Sequence, residues 1–153
     1  MYEIFQKRIK EVNLDIDEIV KVITPMIDKF WGDANAMNRS IIDAHHGDKG
    51  KMITSRYFPM IDHIGSAKKK TIGWHDVAPK YKGPRKNFYT KTVAPTAKGF
   101  TTSCFPKALS WEKEMILEFE MEILPYREAM VALHEHKIFI SRLIRKHSLD
   151  IKR

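Results

Sequence analysis

Two groups of residues have the types and spacing to do chemistry. The first is basic and aromatic: Lys68-Lys69-Lys70, Trp74, His75, Lys80, Tyr81, Lys82, Arg85, Lys86, Phe88, Tyr89, Lys91 and Lys98. Lysine and arginine neutralise phosphates and release their counterions, and an exposed aromatic face stacks on an unpaired base. Within this group, Lys82-Gly83-Pro84-Arg85-Lys86 reads as a rigid basic turn that lets backbone approach a phosphate. The second group is rich in imidazole and carboxylate: Asp43-Ala44-His45-His46-Gly47-Asp48, with Asp62-His63 and His75-Asp76 further along. These are ligand types for zinc and other transition metals. Adjacent residues such as His45 and His46 point about 100° apart on a helix. A polar helix end, with imidazoles near the negative end of the dipole, accounts for them better than a shared ion does.

Asp62-His63-Ile64 resembles the Asp-His-Ile element of the HNH nuclease family, and Asn87 stands where a later asparagine of that family would be cast. The resemblance implies a histidine that activates a water and a metal that holds the phosphate. It covers those four residues. The closing histidine or asparagine on a following helix has no counterpart nearby, and there is no cysteine pair to brace such a fold.

Other chemistries find little footing. Cys104 lies in Thr101-Thr102-Ser103-Cys104-Phe105-Pro106, with no feature that would lower a thiol pKa. No phosphate-binding P-loop, Gly-x-Gly-x-x-Gly or Gly-x-Ser-x-Gly pattern is present. No cofactor is implied, and the chain reads more readily as a binding protein than as an enzyme.

Net charge is +8, but it is not spread evenly. Residues 49–107 hold thirteen Lys or Arg against Asp62 and Asp76, a local balance of +11 that leaves −3 for the remainder. Such a segment attracts polyanions, whether nucleic acid, anionic lipid or an acidic protein surface. With a single cysteine there is no internal disulfide, and the amino-terminal residues show neither a signal peptide nor a membrane span, so a reducing cytoplasm is expected.

The elements that must position these residues follow from apolar spacing. Ile4, Phe5, Ile9 and Val12, then Ile16, Ile19, Val20, Ile23, Ile27 and Phe30, recur at three and four residues and predict helix over 2–31 in two pieces. Pro25 should kink or restart that helix, Gly32 should close it, and Asp33 should cap a shorter one ending at Gly47. Residues 48–106 are punctuated by Gly and Pro. Met52–Phe58, Asn87–Val93 and Phe100–Phe105 read as short strands, the last two as a hairpin through Ala94–Gly99.

The last third is the most periodic. Leu117 to Ile123 alternates apolar and acidic like a strand, yet Ile116, Phe119, Ile123, Tyr126, Met130, Leu133, Ile140 and Ile144 form a heptad-like series broken at Lys137. Helix is the better reading, capped at Ser110, broken or kinked at Pro125 and basic from Arg142 to Lys146. The acidic stripe Glu112, Glu114, Glu118, Glu120 and Glu122 is either solvated or covers part of the basic segment.

The fold expected is therefore α+β in one domain: helical over 1–47 and 107–153, the two ends packed together, with a basic strand-and-loop module over 48–106 carrying a small irregular antiparallel sheet. The function expected is sequence-tolerant DNA or RNA binding by Lys68, Lys69, Lys70, Lys80, Lys82, Arg85, Lys86 and Lys91, with Trp74 and Tyr81 for base or sugar contacts. An alternative is an assembly, accessory or inhibitor protein, such as a small virion factor, that docks its basic face on an acidic partner. A third is a metal-dependent hydrolase or nuclease using His45, His46 and His63, with Asp48 as a further ligand. Self-association through the carboxy-terminal helix is also expected.

Overall fold

The computed structural model describes residues 1–45, 53–66, 68–79 and 90–151. The elements are α1 (Tyr2–Ala44), β1 (Tyr57–Ile64), β2 (Lys69–Asp76), β3 (Lys91–Thr92), a 3-10 turn (Thr102–Cys104) and α2 (Ser110–Ile151). The architecture is α+β: two long helices at the chain ends and a three-stranded antiparallel sheet, in the order β1-β2-β3, between them in sequence. No helix among the described residues is long and apolar enough to cross a membrane.

Each helix is longer than local signals suggested. α1 runs unbroken for 43 residues and α2 for 42, each on the order of 60 Å. The buried positions of α1 are Val12, Ile16, Ile23, Ile27, Phe30 and Ala34, so one apolar stripe passes straight through Pro25 and Gly32. Packing of that stripe outweighs the breakers, which sit on the solvent side. Pro25 lacks the N–H that would bond the Lys21 carbonyl, but both residues are exposed and water can satisfy it. Pro125 in α2 repeats the arrangement, its orphaned acceptor being the carbonyl of exposed Met121. Asp33, expected as a cap, lies in mid-helix and faces Lys29 at 3.6 Å.

The helices run antiparallel, since Arg8 meets His136 at 3.1 Å near one end and Phe30 meets Phe119 edge to face further along. α2 buries Ile116, Phe119, Ile123, Met130 and Ile140, so the helical reading of 117–123 holds over the strand one. One core gathers Ile116, Phe119, Ile123 and Met130 with the α1 stripe, Tyr57, Phe58, Ile72 and Trp74 from the sheet and Phe105 from the segment before α2.

The sheet differs from the expected one. Its hairpin joins β1 to β2 through Gly65–Lys68, with Ile64 opposite Lys69, and not through Ala94–Gly99. The latter forms a tight loop closed by Thr96 and Gly99, and 102–104 is a 3-10 turn, so the third expected strand is absent. Pro59 is tolerated because β1 is an edge strand. Its carbonyl points outward, accepting from Trp31 Nε1 at 2.8 Å, so its missing N–H is missing from that outer edge and not from the ladder. Gly73 on β2 is required by space: a Cβ there would lie 2.0 Å from Asp62 Oδ2.

Buried polar groups tie the sheet to the helices. Glu112 is 1% exposed and sits in the first turn of α2. Its Oε2 accepts from the backbone N–H groups of Arg56 (2.8 Å) and Tyr57 (2.9 Å), and its Oε1 from that of Leu109 (3.0 Å). The last bond is half of a capping box, and the first two hang the start of β1 from the helix. Arg56 in turn forks onto Asp76 at 2.9 and 2.8 Å, closing the far end of the β1–β2 ladder.

Candidate nucleic-acid interface

The strand geometry distributes the Lys68-Lys69-Lys70 run over different surroundings. Lys68 is exposed in the hairpin turn with φ +51°, a left-handed conformation uncommon for a residue with a side chain. Lys69 and Lys70 begin β2, so their side chains leave opposite faces. Lys70 forms an ion pair with Asp17 of α1 at 3.0 Å, and Lys69 lines a cleft between the hairpin, the Pro95–Phe100 loop and α2. Lys91 stands at the other end of β2, opposite Asp76. Seven residues of strand separate the two ends, about 23 Å.

The cleft beside Lys69 has a volume of about 340 Å³ and combines cations (Lys69, Lys70, Arg127) with an apolar wall (Phe100, Met130, Val131). Arg127 is fixed there from several sides. Its Nη1 donates to the Ile72 carbonyl, its Nη2 donates to Glu120 Oε1 at 2.6 Å, and its guanidinium carbon lies 4.8 Å over the Phe100 ring. Its Nε is buried with no acceptor. Lys98 is exposed on the neighbouring loop.

Two turns of α2 beyond Arg127, His134 is 7% exposed and its Nε2 donates to the Lys70 carbonyl at 3.1 Å. Burial holds this imidazole below its ordinary value of 6.5, the Lys70 carbonyl pulls the other way, and the charges of Lys69, Lys137 and Lys70 add to the lowering. Those three lysines therefore share one neighbourhood with the histidine. Arg127, His134 and Lys137 are the contributions that the sequence reading missed. The signal was the seven-residue interval from Arg127 to His134, which sets both on one face of α2 beside the core stripe.

The state of His134 carries a pH dependence. The unfolded chain binds its proton near the ordinary value, while the folded protein keeps the ring neutral to lower pH. Stability from this group is therefore intact above about pH 6.5 and is lost as pH falls through the folded value. Thermal melts between pH 7.5 and 5 are expected to show a falling Tm below about 6.5, and His134→Gln is expected to flatten that part of the profile. An unchanged profile in the variant would remove the assignment.

Trp74 is not available for base contacts. It is fully buried, edge to face with Phe30, Phe105 and Phe119, and its Nε1 donates to Glu120 Oε1 at 2.6 Å. The expectation of a stacking tryptophan is thus corrected: the sheet face that carries it is the one packed on the helices. Lys80, Tyr81, Lys82, Arg85 and Lys86 lie outside the described residues.

Of the residues of the hydrolase reading, His45 and His63 are described. His45 ends α1 and its ring donates to the Ile41 carbonyl at 2.8 Å, while His46, Asp48 and Asn87 lie outside the described residues. Asp62 and His63 leave opposite faces of β1, and His63 is exposed. The Asp62 carboxylate accepts from His75 Nε2 at 2.8 and 3.0 Å, and His75 Nδ1 lies 2.6 Å from the Thr90 hydroxyl. That order of carboxylate, imidazole and hydroxyl resembles a nucleophilic relay. Among the described residues, three clefts beside the sheet are lined by other residues, and the three groups lace β1, β2 and the entry to β3 together. Among the described residues no three His, Cys, Asp or Glu side chains converge as a metal site requires.

Fold and surface thus define a helical hairpin that carries a small sheet, with cations gathered where β2 meets α2. The chain belongs to the family described as MobI protein, whose pattern matches residues 24–140. That span takes in the second half of α1 from Thr24, the whole sheet and α2 as far as Ile140. No curated protein and no solved structure matches the chain.

Proposed function

We propose that this chain binds DNA or RNA without strong sequence preference, through phosphate contacts from its basic segment. The observation that carries this reading is the fate of the segment's two carboxylates. Asp62 is engaged by His75 and Asp76 by Arg56, so the only two carboxylates of residues 49–107 are both used inside the fold, against thirteen cations in the same segment. Lys68 and Lys69 stand at the hairpin end of β2, Lys98 is exposed on the loop that lines the cleft beside Lys69, and Lys137 follows His134 by three residues on α2. Lys80, Lys82, Arg85 and Lys86 belong to the same reading as further phosphate contacts, and Tyr81 as a stacking residue. With Trp74 in the core, readout of bases has less to work with than readout of backbone.

The test is a Lys68→Ala/Lys69→Ala/Lys137→Ala variant, which leaves the Lys70 ion pair with Asp17 in place. Each phosphate contact removed is expected to take roughly 1 from the slope of log K against log salt. A variant with unchanged affinity and slope would overturn this placement of the interface.

A further inference from the structure

The cleft beside Lys69 lies against a strand edge that β3 leaves open, since β3 pairs only with His75 and Asp76. Along β2 the backbone groups alternate between its two edges, and those of Lys70, Ile72 and Trp74 face the side away from β1. The three carbonyls there are occupied: that of Trp74 by the N–H of Val93, that of Ile72 by Arg127 Nη1 and that of Lys70 by His134 Nε2. The N–H groups of Lys70 and Ile72 face the same edge and have no acceptor in the chain among the described residues. An added strand needs both donors and acceptors along an edge, so the capping by Arg127 and His134 disfavours one here. What remains suits a ligand that brings acceptors.

The rest of the lining indicates what else that ligand carries. Phe100, Met130 and Val131 form an apolar wall, and among the described residues no carboxylate lines the cleft. Its volume of about 340 Å³ is near the lower end of small-molecule sites and suits one planar ring system. The side chains of Lys70 and Arg127 are held by Asp17 and Glu120, whereas Lys69 has no ion pair among the described residues. Exposed Glu128 and Glu135 flank Val131 on α2, so an anion approaches from the sheet side, over Lys69 and Lys98.

We infer that this cleft receives the base of an unpaired nucleotide, and that the protein therefore prefers single strands to duplex. The base lies on the wall of Phe100, Met130 and Val131, its ring nitrogens or carbonyl oxygens accept from the open N–H groups of β2, and its phosphate meets Lys69 and Lys98 at the rim. A paired base cannot enter, because its faces are stacked and its pairing edge is committed to its partner. This preference rests on the phosphate contacts proposed above and adds to them a contact made to the base.

The test is fluorescence anisotropy of the full chain, at low and physiological salt, with three probes about 12 nucleotides long: a thymidine strand, an abasic strand with the same phosphates, and a duplex. The thymidine strand is expected to bind more tightly than the duplex, and at least roughly tenfold more tightly than the abasic strand. Ala97→Leu/Val131→Leu, at two exposed positions of the lining, narrows the cleft and leaves every lysine in place. It is expected to erase the advantage of the thymidine strand without weakening the abasic one. With the wild type, a strand carrying iodouracil is expected to crosslink on irradiation to Phe100 or Met130. Equal binding of the thymidine and abasic strands, both falling with salt, would overturn the base site and leave the phosphate contacts standing. No binding of any probe would overturn both, and an adduct confined to other residues would remove the base from this cleft.

Discussion

Glu112→Ala is expected to destabilise the protein by roughly 3 kcal/mol or more, a large part of the roughly 5–15 kcal/mol available to a domain. The carboxylate accepts from three backbone N–H groups, those of Arg56, Tyr57 and Leu109, and is 1% exposed. Truncation leaves buried donors unmet, at roughly 1–3 kcal/mol each. It also removes a negative group from the first turn of a helix, where the dipole favours one. Glu112→Gln keeps the size but turns an amide N–H₂ toward N–H donors, so it should recover only part of the loss. Urea unfolding of the three proteins measures this directly. A loss below about 1 kcal/mol for Glu112→Ala would mean that the strand start is held by something else.

Trp74→Ala is expected to cost roughly 3–5 kcal/mol, enough to bring the chain near its unfolding threshold at room temperature. The indole is enclosed by Phe30, Phe105 and Phe119 and anchored by Glu120. Trp74→Phe retains much of the packing and loses the N–H donor, while Arg127 still serves Glu120 at 2.6 Å. Its expected cost is therefore smaller, on the order of 1–2 kcal/mol. The two variants also separate core from contact roles. Trp74→Phe should bind nucleic acid as the wild type does. A Trp74→Ala protein that remained fully stable but bound more weakly would return the residue to the surface.

The helices were legible because their stripes are long: Val12 to Ala34 and Ile116 to Ile140 repeat at three and four residues often enough to outweigh local interruptions. Their continuity was not legible. Proline and glycine break a helix only where the lost bond or added freedom goes uncompensated, and Pro25, Gly32 and Pro125 all face solvent. A sequence does not say which face that is until the partner helix is known.

The hairpin was misplaced for a related reason. Pro59 and Gly73 look like punctuation but sit inside β1 and β2, one on a free edge and the other under the Asp62 carboxylate. Both tolerances are tertiary.

The candidate interface was half visible. Charge counting located the basic segment, since it needs no geometry. It could not show that Lys70 is tied to Asp17, that Trp74 is buried, or that Lys69 from the sheet and Lys137 from α2 both act on His134. The acidic stripe divided in the same way: Glu112 and Glu120 serve internal donors, while Glu114, Glu118 and Glu122 face water. The heptad repeat likewise predicted association through α2, but its core series is spent on α1 and the sheet.

The most direct measurement is fluorescence anisotropy of labelled single- and double-stranded DNA and RNA with purified, nuclease-treated protein, from about 50 to 200 mM salt. Binding is predicted at micromolar concentration or tighter, with a log–log salt slope of roughly −3 or steeper and little difference between unrelated sequences. No binding to any of the four, or binding indifferent to salt, would contradict a phosphate-directed interface and assign the basic surface to a protein partner.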